Sequence, residues 1–241
     1  MATVQEHYCE VLSDAYSWMF GGFDAGIQKN IDFFNKYSLT PKGSGIAVDL
    51  GSGCGFQSIP LAQLGYSVTA IDLDSKLLNE LRENAGSLPI FPIQGDLIDF
   101  GESIDRGIEL AVCMTDTLLH LESKEKVILL FKKVYVALDL EGKFIITFRD
   151  LTRELTDVDR FIPVKSDENT IFTCFLEYEP GTVKVNDVIY RKAGGEWKLF
   201  KSFYRKLRLS KEWVIEQLSQ CGFNYVDSVM DSGVITIIAQ K

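Results

Sequence analysis

Histidine is scarce in this 241-residue sequence, with only His7 and His120. That argues against a metal site built on imidazoles, and no metal is expected. The five cysteines, Cys9, Cys54, Cys113, Cys174 and Cys221, are odd in number, widely spaced and without a CxxC pair. This excludes a zinc ribbon or a disulfide framework as the organising device and fits a reducing, cytoplasmic setting. No apolar run approaches the ~18 residues of a membrane span. Residues 1–30 show no basic segment leading into an apolar one, so no secretory leader is expected. Positive charge is in deficit: 25 Lys+Arg stand against 34 Asp+Glu, a net charge of −9. Phosphate-rich partners are held by cationic neutralisation. Neither nucleic acid nor an anionic membrane is therefore an expected partner. Repeats, low-complexity tracts and Pro/Gly/Ser linkers are missing, which leaves one domain spanning 1–241.

Against those absences stands an ordinary globular composition, 46 % hydrophobic and 24 % charged. Residues 5–20 and 24–38 read as two aromatic-rich helices. Ile46–Leu50 is a short apolar run, as in a buried parallel strand. Ser58–Leu64 reads as a helix with Pro60 in its first turn, where a missing N–H costs little. Ser67–Asp72 is a strand, and Ser75 is placed to cap a helix running to Ala85. Strands at 90–94, 108–114 and 143–148 follow, with a helix over 123–138. Such alternation implies βαβ units and a parallel sheet. Beyond Phe148 the rhythm changes to three strands, 170–178, 183–191 and 197–209. Pro180-Gly181 and Gly194-Gly195 supply their turns, giving an inserted antiparallel β-meander. A helix capped by Ser210 and a terminal hairpin complete the chain.

The chemistry concentrates where the first strand ends. In Asp49-Leu50-Gly51-Ser52-Gly53-Cys54-Gly55, glycines at alternate positions let the backbone turn sharply and let a ligand approach without a Cβ in the way. Asp72 ends the next strand, where a carboxylate can accept hydrogen bonds from both ribose hydroxyls. Turn, helix and acidic strand end together point to a nucleoside. A dinucleotide fingerprint wants a small residue at position 56, and Phe56 stands there instead.

Asp49–Gly55, Val68–Asp72 and Gln94-Gly95-Asp96-Leu97 together resemble the cofactor site of class I S-adenosylmethionine-dependent methyltransferases of the small-molecule type. The resemblance covers residues 45–150 or so. It implies an α/β fold, a seven-stranded, mostly parallel Rossmann-like sheet with its last strand antiparallel. N-terminal lid helices (1–40) would cover a cofactor-binding core (45–150). The meander (165–209) would form a cap, and residues 210–241 would complete the core. By the same resemblance, Gly51, Gly53 and Gly55 pass the methionyl part of S-adenosyl-L-methionine. Asp49 reaches its amine or carboxylate, Asp72 holds the ribose and Leu73 packs on the adenine. Asp96 accepts the adenine amine, with Leu97 beside the ring.

The acceptor side leaves alternatives open. Met114-Thr115-Asp116-Thr117 follows the fourth strand beneath the expected methyl group. Met114 is assigned to the cofactor, while Asp116 and Thr117 either face the acceptor or cap the next turn. His120 is a general base near neutrality or a packed helix residue. Arg149 forks onto an acidic group of the substrate or forms a structural ion pair. Tyr16 is taken as the lid aromatic nearest the reaction, and His7 as a surface residue. Lys198, Lys201, Arg205, Lys206 and Arg208 suggest an RNA-binding stripe, but alternation scatters them over both faces of a strand. A solvated outer strand is the simpler reading. The activity expected is in-line methyl transfer to a compact acceptor under a cap, the cap being a fold-level analogy. Its rivals are a non-catalytic cofactor-binding or scaffold module and an RNA or protein methyltransferase. Oligomeric state is left open.

Overall fold

The computed structural model describes residues 4–102, 104 and 107–241. Residues 1–3 of the expected lid, and 103, 105 and 106 of the expected core, lie outside them.

The larger sheet contains seven strands in the order β10-β11-β5-β4-β1-β2-β3. These are β1 Ile46–Leu50, β2 Ser67–Asp72, β3 Ile90–Gln94, β4 Ile108–Cys113 and β5 Leu138–Arg149, followed by β10 Tyr225–Asp231 and β11 Val234–Gln240. β1 pairs in parallel with both β2 and β4, and only β11 runs against its neighbours. The chain order reverses at β1, so its carboxyl end opens onto a topological switch point, where ligands bind in sheets of this kind. Val48 and Leu50 are buried in the same apolar core as Phe131, Phe144 and Phe148, and this core anchors the turn that follows β1.

Local chemistry sets the element boundaries. Asp74, not Ser75, caps the helix Ser75–Ala85, its carboxylate accepting the Leu77 N–H at 2.9 Å. Asp and Ser are about equally good caps, so the pair of residues left the assignment open by one position. Ser123 and Ser210 cap the helices Lys124–Ala137 and Lys211–Gln220.

The second sheet has four antiparallel strands where the sequence reading has three. They are β6 Phe161–Ser166, β7 Thr170–Tyr178, β8 Thr182–Ala193 and β9 Glu196–Leu207. Pro163 hides β6 in the sequence, since proline cannot serve a central strand. β6 is an edge strand with a bulge between Pro163 and Lys165, a place where proline is tolerated. Gly194 and Gly195 both have positive φ, 62° and 85°, as the tightest hairpin turns require.

The N-terminal segment, expected to form a lid, is not the single helix expected over 5–20. An α-turn, Val4–His7, passes into a π-helical turn, Tyr8–Leu12, then a 3₁₀ turn, Ser13–Ala15, and a last α-turn, Tyr16–Met19. The helix Phe23–Lys36 follows. π-turns concentrate at functional sites because they re-aim side chains, and here the irregularity begins at Tyr8.

Candidate active site

A cavity of about 540 Å³ lies at the carboxyl ends of β1, β2 and β4. Its floor is the glycine turn. Gly51 and Ser52 both donate to the Ile71 carbonyl, at 2.8 and 2.9 Å, so the turn is tied to the end of β2. Gly51 has φ 81°, and a Cβ there would fall 2.2 Å from Thr117 Cγ2. A Cβ on Gly53 would project into the gap between that turn, Tyr16 and Leu77, all of which line the cavity. Asp72 Oδ2 accepts the Gly53 N–H at 2.8 Å, and Oδ1 the Asp74 N–H at 2.8 Å. Burial raises its carboxyl pKa. A carboxylate has about four lone-pair sites, so acceptor capacity is left for a ligand. Leu73, Asp96 and Leu97 line the same end.

The opposite end is walled by rings from three elements. Tyr8 comes from the lid, His120 from the turn after β4 and Tyr204 from β9. The rings of His120 and Tyr204 stack at 5.3 Å, and Tyr8 stands edge-on to His120 at 5.7 Å. Burial, reinforced by the Lys206 charge, pushes the His120 pKa down to about 3, so its imidazole is neutral. Among the described residues its Nδ1 has no hydrogen-bond partner, and its Nε2 lies 3.5 Å from the Tyr8 hydroxyl. Tyr16 also lines the cavity, and burial holds its phenol protonated.

Beneath these rings lies a charged cluster. Asp116 takes up a left-handed conformation (φ 66°) and accepts hydrogen bonds from the Arg149 backbone and guanidinium and, at 2.8 Å, from Lys206 Nζ. Burial alone would raise its carboxyl pKa, but Lys206 and Arg149 outweigh that and hold it well below the ordinary range. A second buried pair joins His7 Nε2 to Asp187 Oδ2 at 2.9 Å. The His7 ring packs on Tyr204 at 4.4 Å between centroids. Lid, second sheet and core therefore meet around the same three rings.

Nine of the residues expected in the site line the cavity: Tyr16, Gly51, Gly53, Asp72, Leu73, Asp96, Leu97, Thr117 and His120. Five do not. Gly55 serves packing, since a Cβ there would lie 2.2 Å from Leu81 Cδ1. Met114 is buried in the core, and its carbonyl accepts the Thr117 hydroxyl. Asp49 lies under the turn, bonded to Ser58 Oγ at 2.6 Å with Oδ1 unpartnered, and burial raises its pKa to about 7. Asp116 and Arg149 are engaged with each other. His7 is fully buried rather than on the surface. Lys206 is 6 % exposed, and Arg208 reaches Glu154 at 2.8 Å, so the basic residues of β9 form no continuous stripe. Tyr8, Tyr204, His7 and Asp187 were missed as site residues. Alternation along β9 puts Tyr204 and Lys206 on one face, but nothing local shows that this face is covered.

The glycine cradle and the Asp72 carboxylate form a donor and acceptor set that fits an adenosyl-methionyl ligand. Residues 47–142 match the family described as the methyltransferase domain. YqeM of Bacillus subtilis (strain 168), a methyltransferase by name, is 28 % identical over 190 residues, 77 % of this chain and 75 % of that protein. The fold is shared with an S-adenosylmethionine-dependent methyltransferase from Clostridium acetobutylicum ATCC 824 (TM-score 0.74, 17 % identity, 97 % of this chain and 95 % of that one). It is also shared with S-adenosylmethionine-bound CalS10, an amino pentose methyltransferase from Micromonospora echinaspora (TM-score 0.73, 12 % identity, 94 % and 95 %). Residues 47–142 thus resemble a methyltransferase domain, and the whole chain has the fold of S-adenosylmethionine-dependent methyltransferases. The solved structures of this fold include one with S-adenosylmethionine bound.

Proposed function

We propose that the chain methylates a small molecule that sits between the glycine turn and the Tyr8–His120–Tyr204 wall. The observation that carries this reading is the roof of the cavity. Val4, Gln5, Tyr8 and Tyr16 of the lid and Thr182, Tyr204, Arg205 and Leu207 of the second sheet border it. Gln5 Nε2 reaches the Leu73 carbonyl at 3.2 Å, across from lid to core. Ligand pockets commonly measure ~300–1,000 Å³, and this one fits a nucleoside cofactor beside a compact acceptor better than a polymer. CalS10, which acts on an amino pentose, shares the fold.

The bound cofactor supplies an activated methyl group; the remaining tasks fall to the chain. Gly51 and Gly53 leave room for the methionyl part, with Asp49 bracing the turn from below through Ser58. Asp72 holds the ribose, and Leu73, Asp96 and Leu97 the adenine. Tyr8, Tyr16 and Thr117 exclude water and fix the line of approach. Such alignment can supply ~7–11 kcal/mol of the barrier. With its pKa near 3, neutral His120 is a weak base. Its role is to accept a hydrogen bond from the acceptor and orient the attacking lone pair. Asp116 and Arg149 act from behind, by seating β9.

Incubation with methyl-labelled cofactor and a fractionated metabolite extract tests the reading. Label should appear in the low-mass fraction and vanish with Asp72→Ala. Label confined to protein or RNA contradicts a small acceptor. Cofactor binding by calorimetry with no transfer to any fraction favours the non-catalytic module.

A further inference from the structure

Among the described residues, the second sheet ends in an open edge. β9 is its last strand, twelve residues long, paired with β8 without a bulge and free of proline. Its first six residues, Glu196–Lys201, are exposed on both faces. They include Trp197 (45 % exposed), Leu199 (46 %) and Phe200 (38 %). Isolated exposed apolar residues need no explanation, but a row on an unprotected edge does.

We propose that this edge is a docking surface for a second copy of the chain, the two β9 strands pairing antiparallel about a two-fold axis through Leu199. A two-fold contact uses the same patch on both copies, so the strand must complement itself. Directly opposed residues point to the same face, which restricts the axis to a residue position. An axis at Lys198 or Lys201 sets a lysine against its own copy, which is unfavourable. An axis at Phe200 sets Lys201 against Leu199 and Lys198 against Ser202. The axis at Leu199 sets Trp197 against Lys201 and Lys198 against Phe200, giving each lysine an aromatic partner from the other copy. Leu199 then packs on Leu199. In this register Glu196 faces Ser202, so pairing fills the exposed stretch and stops at the Gly194-Gly195 turn. Aromatics of this hairpin already take cations within one chain: Lys192 lies 6.0 Å from the Trp197 ring and Arg191 5.5 Å from Phe200. The free edge supplies backbone donors and acceptors for strand addition. Residues 196–201 do not line the cavity, so the contact leaves each active site open.

The register is testable by a cysteine on the axis, in a Cys9→Ser background that removes the exposed native thiol. Opposed Cα atoms in antiparallel strands stand ~4.5–5.5 Å apart, within disulfide range. Leu199→Cys should therefore cross-link to a covalent dimer on mild oxidation, while Trp197→Cys, which faces Lys201, should not. By sedimentation the wild type should be dimeric at micromolar concentration, and Leu199→Pro and Lys201→Glu monomeric. Cofactor binding by calorimetry, unchanged in each variant, verifies folding. A monomeric wild type, a dimer indifferent to both substitutions, or equal cross-linking at 197 and 199 would overturn the proposal.

Discussion

The cofactor end of the cavity is assembled from neighbours in sequence, and the acceptor end is not. Gly51 and Gly53 lie in the turn after β1 and Asp72 ends the adjacent β2; the Gly51 N–H binds the Ile71 carbonyl and the Gly53 N–H the Asp72 carboxylate. The acceptor wall brings Tyr8 to His120 across 112 positions, Lys206 to Asp116 across 90 and Asp187 to His7 across 180. The first end can be shaped by turn chemistry alone. The second depends on the buried Lys206–Asp116 ion pair and the His7–Asp187 hydrogen bond, which draw the N-terminal segment and second sheet onto the core. Changes in the acceptor end should therefore cost stability as well as function, while changes in the cofactor end should act mainly on binding.

Asp116→Ala breaks the acceptor end most severely. It strands Lys206 in the interior, and removing one partner of a buried pair costs about 3–5 kcal/mol. Urea denaturation should show that loss, and Asp116→Ala with Lys206→Met should recover most of it. A loss that is equal in the single and double variants would show that the pair does not hold the two regions together.

Asp72→Ala should leave the urea midpoint nearly unchanged. It should weaken cofactor binding by about 100-fold, the scale of two charge-assisted hydrogen bonds. Calorimetry reads the affinity directly. A large stability loss with intact binding would invert the contrast.

His7→Leu tests the lid seat. We expect the Michaelis constant for the cofactor to rise about tenfold, as one charge-assisted bond would give, with a smaller change in kcat. His7→Gln, which keeps a donor, should restore part of the affinity. A fall in kcat alone would place His7 in the chemistry rather than in the seat.

The smallest effect is a difference in pH response. His120 has its pKa lowered from 6.5 to about 3 in the folded protein. Between those values the unfolded chain binds the extra proton, so this contribution to stability is lost as pH falls. Asp49 is raised from 3.8 to about 7. There the folded protein binds the proton, and stability is lost as pH rises through that interval. Melting profiles should therefore flatten on the acid side with His120→Gln and on the neutral side with Asp49→Asn. Identical responses in both variants would remove this distinction between the two ends.

That division also explains what the sequence revealed. The parallel core, the glycine turn, Asp72 and Asp96 are written in short segments, where a strand end, a positive-φ glycine and an acidic residue follow one another. His7, Asp187 and Lys206 carry no such local signal. Each looks like a solvent residue until the face of its element is known to be covered, and that covering is a tertiary event. Asp116 follows β4 and Arg149 ends the neighbouring β5, but their mutual pairing depends on the left-handed turn at Asp116 and on Lys206 arriving from β9.

In the function proposed above, one cavity holds the adenosyl group at Asp72 and presents its sulfur to Tyr8, His120 and Tyr204. A crystal structure with S-adenosylhomocysteine tests it most directly. Ribose hydroxyls should lie on the Asp72 carboxylate and adenine beside Leu97, and the sulfur should face the three rings. Density for the nucleoside elsewhere, or a sulfur turned away from His120 with Tyr8 and Tyr204 closed against the glycine turn, would contradict it.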